Sequence, residues 1–116
     1  METLYHPDVF IPGWFTKPTG RAVLRYTKHA RQAARTDRYG EVPLFESVNL
    51  DNLDLVEIGA ENGQVTKLVL RGGYDTTRDH VLVLVPEDGV YIVKTVWYNL
   101  RTDKHRTLRR DRYATR

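Results

Sequence analysis

His29 is the side chain whose neighbours best equip it for chemistry. It stands in the run Arg25-Tyr26-Thr27-Lys28-His29-Ala30-Arg31, close to three cations. Flanking positive charge favours the neutral imidazole. A neutral imidazole can take the proton of a ribose 2′-hydroxyl, the first step of metal-independent RNA cleavage. Thr95 and Tyr98 close the strongest β-run and offer hydroxyls to orient a phosphate or supply a proton. His80 or His105 would complete an acid–base couple with His29. Each residue also has a plainer reading. His29 can be a helical histidine bonded to the sheet or to a carbonyl, and Thr95 and Tyr98 are ordinary strand formers. Trp97 reads as core rather than as a platform for a base.

Phosphate contacts would come from arginine. Arg31, Arg35 and Arg38 recur at helical spacing along one face, and Arg71 and Arg78 fall between central strands. Arg101, Arg106, Arg109 and Arg110, with Lys104, Arg112 and Arg116, form the densest cationic run. Guanidinium forks suit phosphate oxygens and give salt-sensitive, sequence-independent affinity. The same run also reads as a solvated tail, with Tyr113 stacking on a base or docking the tail. Charge along the chain is segregated. Residues 21–39 hold six Lys/Arg and one Asp, residues 40–66 six Asp/Glu and no cation, and residues 101–116 seven Lys/Arg and two Asp. Two basic blocks around an acidic one fit a phosphate-binding face. They equally fit an acidic segment that lies beside the basic ones and neutralises them.

Several function classes drop out. The 116-residue chain has no cysteine, so disulfide scaffolds, thiolate zinc sites and thiol nucleophiles are excluded. The four histidines show no metal-ligand spacing, and there is no Gly-rich phosphate loop, Ser-His-Asp order or paired-carboxylate motif. No metal and no cofactor are expected. No apolar run approaches the roughly 18 residues of a membrane span. The opening METLYHPDVFIPGWF lacks the pattern of a signal peptide, so a cytoplasmic protein is expected.

The chain length fits one domain. Residues 1–20 carry three prolines and two glycines yet also Val9, Phe10, Ile11, Trp14 and Phe15, which reads as an irregular arm against the domain or as an exposed partner-binding patch. Residues 22–38 read as a basic helix, beginning near Arg21 or capped by Thr27 and starting at Lys28, with Ala30, Ala33 and Ala34 as a narrow apolar stripe. Tyr39-Gly40 would end it. An acidic connector follows over 40–55, its end either a short helix or a loop. Strands are expected near 55–60, 64–72, 79–85 and 90–98, with turns at Glu61-Asn62-Gly63, Asp75-Thr76-Thr77 and Glu87-Asp88-Gly89. Alternation in the last strand sets Tyr91, Val93, Thr95 and Trp97 on one face and Ile92, Lys94, Val96 and Tyr98 on the other. A basic tail closes the chain over 99–116. The expected class is α+β: an N-terminal arm and helix packed on a four-stranded antiparallel β-meander.

Tyr26-Thr27-Lys28-His29-Ala30 resembles the Ser/Thr-x-His-Ala helix start of small phage and toxin-island proteins, and Thr95-Val96-Trp97 resembles the Thr-Val-Tyr/Trp strand that closes their sheets. That group is similar in layout to the barnase–EndoU–colicin–RelE ribonuclease fold. The resemblance also touches Arg71, Tyr74, Asp79 and the tail from Asn99 to Tyr113. The family helix carries Arg at the fourth and eighth positions after the histidine, where this chain has Ala33 and Asp37. The resemblance implies an RNA target, His29 as the first residue to test, and a metal-independent endoribonuclease or a degenerate relative that still binds RNA. An antitoxin-like partner would accompany it. Two other readings stand beside it. One is a non-enzymatic phage accessory protein that grips a host protein through residues 5–15 and the acidic block. The other is an assembly protein that oligomerises through a sheet edge.

Overall fold

A computed structural model describes residues 1–103 and 112–115. The chain runs β1 (Thr3–Tyr5), β2 (Arg21–Tyr26), α1 (Lys28–Arg35), β3 (Ser47–Asn49), a 3-10 turn (Leu50–Asn52), β4 (Asp54–Glu61), β5 (Gln64–Gly73), β6 (Arg78–Glu87) and β7 (Val90–Leu100). All seven strands join one sheet in the order β1-β4-β5-β6-β7-β2-β3. Neighbours are antiparallel except β2 and β7, which run parallel. Both edge strands are three residues long, which leaves little ladder for another chain to extend.

The expected α+β class is therefore corrected. The described residues are mostly β, a seven-stranded mixed sheet with one short helix. The four consecutive strands β4–β7 are antiparallel neighbours within that larger sheet. Asn62 and Gly63 take positive φ of 53° and 74° and close the β4–β5 hairpin, as the Asn-Gly pair demands.

The helix is shorter than its composition suggests. Arg21–Tyr26 alternates between solvent and core, with Ala22 and Leu24 buried and Arg21, Val23 and Arg25 exposed. That period of two belongs to a strand, and pairing with β7 and β3 decides it against the helix propensity of Ala, Leu and Arg. Thr27 is extended and its Oγ1 accepts from the Ala30 amide at 3.0 Å, the N-cap that starts α1. At the other end Thr36 Oγ1 donates to Gln32 O, and Asp37 Oδ2 accepts from Tyr39 N. Both side chains compete with further helical bonding and stop the helix well before Gly40.

Ala30 and Ala34 are fully buried, so α1 lies close against β7. Under it sits the main core of Leu24, Val42, Leu50, Ile58, Leu68, Leu70, Leu82, Leu84, Val93, Val96 and Tyr98. Full burial of each such side chain contributes about 1.5–3 kcal/mol. The opposite face carries a smaller cluster of Val56, Val69 and Val81 with Val83 and Trp97. Val83 pairs with Thr95 but Leu84 pairs with Val93, so Lys94 is an extra residue in β7. The bulge brings the Lys94 carbonyl to Thr27 Oγ1, which donates to it at 3.3 Å.

Gly72 is required by a close approach. A Cβ there would lie 2.5 Å from Leu53 Cδ2 and 2.9 Å from Asn52 O, where the 3-10 turn crosses β5. Gly72→Ala is expected to cost about 1–3 kcal/mol through overpacking, read as a lowered denaturation midpoint with an unchanged m-value.

Candidate functional site

The cations of the described residues fall into two sets. Arg71 Nε donates to Asp79 Oδ2 at 2.8 Å, and its Nη2 donates to the carbonyls of Leu100 and Asp103. Arg78 grips Asp75 at 2.6 Å, Arg101 lies 3.5 Å from Asp79, and Lys67 and Arg112 flank Glu57 at 3.0 and 3.6 Å. The Arg78 fork, with the Thr77 amide, holds the Asp75 carboxyl well below its usual range. These groups fix strands, turns and chain ends to one another.

Arg25, Lys28, Arg31, Arg35 and Arg38 are different. All are exposed, and none forms an ion pair among the described residues. Two of them lie over aromatic rings: the Arg31 guanidinium is 5.9 Å from the Tyr26 ring centre and that of Arg38 is 4.7 Å from Tyr39. Exposed Lys94 joins them, since its bulge meets the start of α1. Among the described residues no carboxylate of the acidic block forms an ion pair with this strip, although Glu46 shares a groove with Arg25 and Arg31. Glu57 pairs with Lys67 and Arg112, Glu61 meets the terminal ammonium of Met1, and Asp51 accepts from the Gly20 amide. Asp37, the acid nearest in sequence, turns to the backbone amides of Tyr39 and Tyr98.

A groove opens between the end of β2, α1 and the segment 44–46. It encloses about 470 Å³ and is lined by Leu24, Arg25, Tyr26, Arg31, Leu44 and Glu46. Two bonds set its walls: Leu24 N donates to Glu46 O at 2.8 Å, and Tyr26 Oη donates to Phe45 O at 2.7 Å. Burial pushes the Tyr26 phenol up to about 12 against the opposing pull of Arg31, so it stays a neutral donor.

Of the expected catalytic residues, the three that are described, His29, Thr95 and Tyr98, do not converge. His29 is exposed on α1, and its side chain makes no hydrogen bond, ion pair or ring contact among the described residues. Thr95 lies on the opposite sheet face, lining a cavity of about 370 Å³ with Glu57, Lys67, Val69, Val83, Trp97 and Arg112. Tyr98 is buried on the helix side, where its Oη donates to Glu41 O at 3.2 Å. Burial and the adjoining Tyr74 push its phenol up, which suits a structural donor. Of the expected phosphate ligands, Arg31 and Arg35 lie in the open strip, whereas Arg71, Arg78 and Arg101 are held in the pairs above. His105, Arg106, Arg109 and Arg110 lie outside the described residues. No three His, Asp or Glu side chains among the described residues converge to hold a metal.

Two buried polar groups carry signals that were available in sequence. His80 stands at the head of the apolar run 81–85 and is only 5% exposed. Its Nε2 has no hydrogen-bond partner among the described residues, and Phe45, Tyr74 and Tyr98 surround the ring at 5.7, 6.4 and 6.4 Å. Burial pulls this imidazole down to about 4. Glu57 is the lone charge within Leu55–Ala60 and is likewise 5% exposed. A single charge in an apolar strand flags a buried ion pair.

No protein family, curated protein or solved structure matches the chain.

Proposed function

We propose that this protein binds RNA, holding the phosphate backbone in sequence-independent contacts along the strip from Arg25 through Lys28, Arg31 and Arg35. One observation carries the reading. Among the described residues these cations form no ion pair, although six carboxylates lie in the adjoining block of the same chain. Unpaired exposed guanidinium groups gain from phosphate by counterion release, whereas groups already held by carboxylates would have to break those pairs first.

The reading stops at binding. Acid–base cleavage needs proton-transfer groups at one phosphate. His29 lies on the strip, but Thr95 and Tyr98 lie on opposite faces of the sheet.

Fluorescence anisotropy with a single-stranded RNA tests the proposal. Arg31→Ala/Arg35→Ala is expected to reduce the slope of log K against log salt by about 1.4 and affinity on the order of tenfold at 0.1 M salt. Both side chains are exposed, so the fold should hold. An unchanged slope would remove the strip from RNA binding.

A second reading, an accessory protein that grips a host protein, is favoured by the arm, where Ile11 and Trp14 are 44% and 46% exposed. Host-protein binding that survives the double arginine variant but not Trp14→Ala would select it.

A further inference from the structure

Segment 44–46 is an exposed flap between two fixed points. Before it, Val42 is buried and its amide donates to Ala34 O at 2.8 Å. After it, Ser47 enters β3. Leu44, Phe45 and Glu46 are all exposed. Among the described residues two hydrogen bonds hold their backbone down, from Leu24 N to Glu46 O at 2.8 Å and from Tyr26 Oη to Phe45 O at 2.7 Å. The Phe45 ring lies edge-on to the buried His80, with ring centres 5.7 Å apart.

Nothing around His80 is ready to accept from an imidazolium. Its Nε2 has no hydrogen-bond partner among the described residues. Tyr74, in the turn between β5 and β6, and Tyr98, on β7, pack their rings against it. Arg78, on β6 itself, lies over both of those rings, and its fork is closed on Asp75. Asp37, at the end of α1, accepts with its two oxygens from the amides of Tyr39 and Tyr98. Glu46, next to Phe45 in the flap, lines the groove with Arg25 and Arg31. Burial accordingly pulls the imidazole down to about 4.

A proton on this ring therefore needs water, and water enters where the cover moves most easily. Tyr98 is buried and its Oη donates to Glu41 O. Tyr74 is held by the Arg78 guanidinium and by its own amide, which donates to Arg78 O at 3.1 Å. Phe45 is the nearest of the three rings, is 42% exposed, and its side chain has no polar group to tie it down.

We propose that segment 44–46 is an acid-released flap: a proton taken up by His80 drives the Phe45 ring off the imidazole and opens the groove wall beside Arg25 and Arg31. The Tyr26 hydroxyl loses its acceptor in the same step, and the sheet stays folded. The device is independent of what the cationic strip binds. With the flap open the wet imidazole titrates near its ordinary 6.5. The open population relative to the closed one therefore rises about tenfold for each pH unit below that value, until the covered ring itself titrates.

Two-dimensional NMR of the whole protein from pH 7 to pH 4.5 is the test. The Phe45 amide and the Leu24 amide, whose acceptor is Glu46 O, should shift together with the His80 imidazole on one titration curve. The amides of Ile58 and Leu68, deep in the sheet, should keep their positions. In His80→Phe the Leu24 and Phe45 amides should stay in place over the same range. In Phe45→Ala the imidazole is already wet, and its titration should rise toward its ordinary value. A Leu24 amide unmoved at pH 4.5, whether or not His80 titrates, would overturn the flap. So would a Leu24 shift that persists in His80→Phe, an imidazole titration unchanged in Phe45→Ala, or loss of the Ile58 and Leu68 signals together with that of Leu24.

Discussion

Acidification from pH 7 to pH 4.5 is expected to destabilise the wild-type protein, and His80→Phe to remove most of that loss. The His80 ring is buried among Phe45, Tyr74 and Tyr98, with no partner for Nε2. Arg78, paired with Asp75, packs on the same rings, its guanidinium 4.5 Å from the Tyr98 ring and 5.2 Å from that of Tyr74. That carboxylate is taken up by the Arg78 fork and does not bond to the imidazole. Asp79, next in sequence, points to the other sheet face, where it binds Arg71.

The native imidazole titrates near 4 and the unfolded one near 6.5. Between those values the unfolded chain binds more protons, so stability falls as pH falls. The contribution is complete above about pH 6.5 and is lost as pH approaches 4, amounting to about 3 kcal/mol across the interval. Glu57 and Asp75, whose carboxyls are held below their usual values, lose their contributions only at lower pH, from about 4.5 downward. The window from 6.5 to 4.5 therefore separates the His80 contribution from those of these two carboxyls, and the His80→Phe comparison assigns it to this ring. Phenylalanine has nearly the same shape and suits the aromatic surroundings, so at pH 7 the variant should lie within about 1 kcal/mol of wild type, because it also removes an unsatisfied buried nitrogen. Urea denaturation at pH 7, 5.5 and 4.5 reads both effects. Equal slopes for the two proteins would show that the ring takes up its proton without cost.

The strands from 54 to 100 were legible because alternation and turn chemistry agree locally, with Asn62-Gly63 and Gly89 at the hairpins. β2 was not, because Arg21, Ala22, Leu24 and Arg25 are all good helix formers and the partner that makes them a strand lies about 67 residues away in β7. β3 exists only because β2 does. The bulge at Lys94 changes the phase of β7, so Val93 is buried on the helix side with Val96 and Tyr98, while Thr95 and Trp97 line the other face. Strict alternation instead groups Val93 with Thr95, and one inserted residue leaves no mark in composition.

The candidate site divides along the same line. The excess of charge over residues 21–39 is plain in the sequence. Which arginines remain open is not, because Arg31 and Arg71 differ only in whether a carboxylate lies opposite. For Arg71 the partner is Asp79, brought across by the β5–β6 register. Whether the acidic block pairs with the basic one is likewise a matter of distance, and among the described residues no carboxylate of the block lies within ion-pair reach of the α1 cations.

Glu57→Ala is the second large effect expected. The carboxylate is 5% exposed and fully engaged: Oε1 accepts from Tyr113 Oη at 2.7 Å, and Oε2 pairs with Lys67 at 3.0 Å. Burial alone would push this carboxyl up. The Tyr113 hydroxyl, Lys67 and Arg112 outweigh burial and hold it below its usual value. Removing it leaves a buried phenol and a partly buried ammonium without their acceptor, at a cost of about 3 kcal/mol. Tyr113 also lies edge-on to the His6 ring at 5.2 Å, and the next amide, Ala114 N, donates to Leu4 O at 2.8 Å. Glu57 thus ties the C-terminal residues to β1, and Glu57→Ala should lose hydrogen-exchange protection at the Ala114 amide along with global stability. Tyr113→Phe keeps the ring and the Lys67 pair, and should cost only about 1 kcal/mol with the amide still protected. The same substitution separates anchoring from binding. Glu57→Ala releases Lys67 and Arg112 from a carboxylate and makes the surface more cationic, so RNA affinity measured where the variant is folded should not fall. A fall in affinity with stability intact would instead place Glu57 on the RNA-contacting surface.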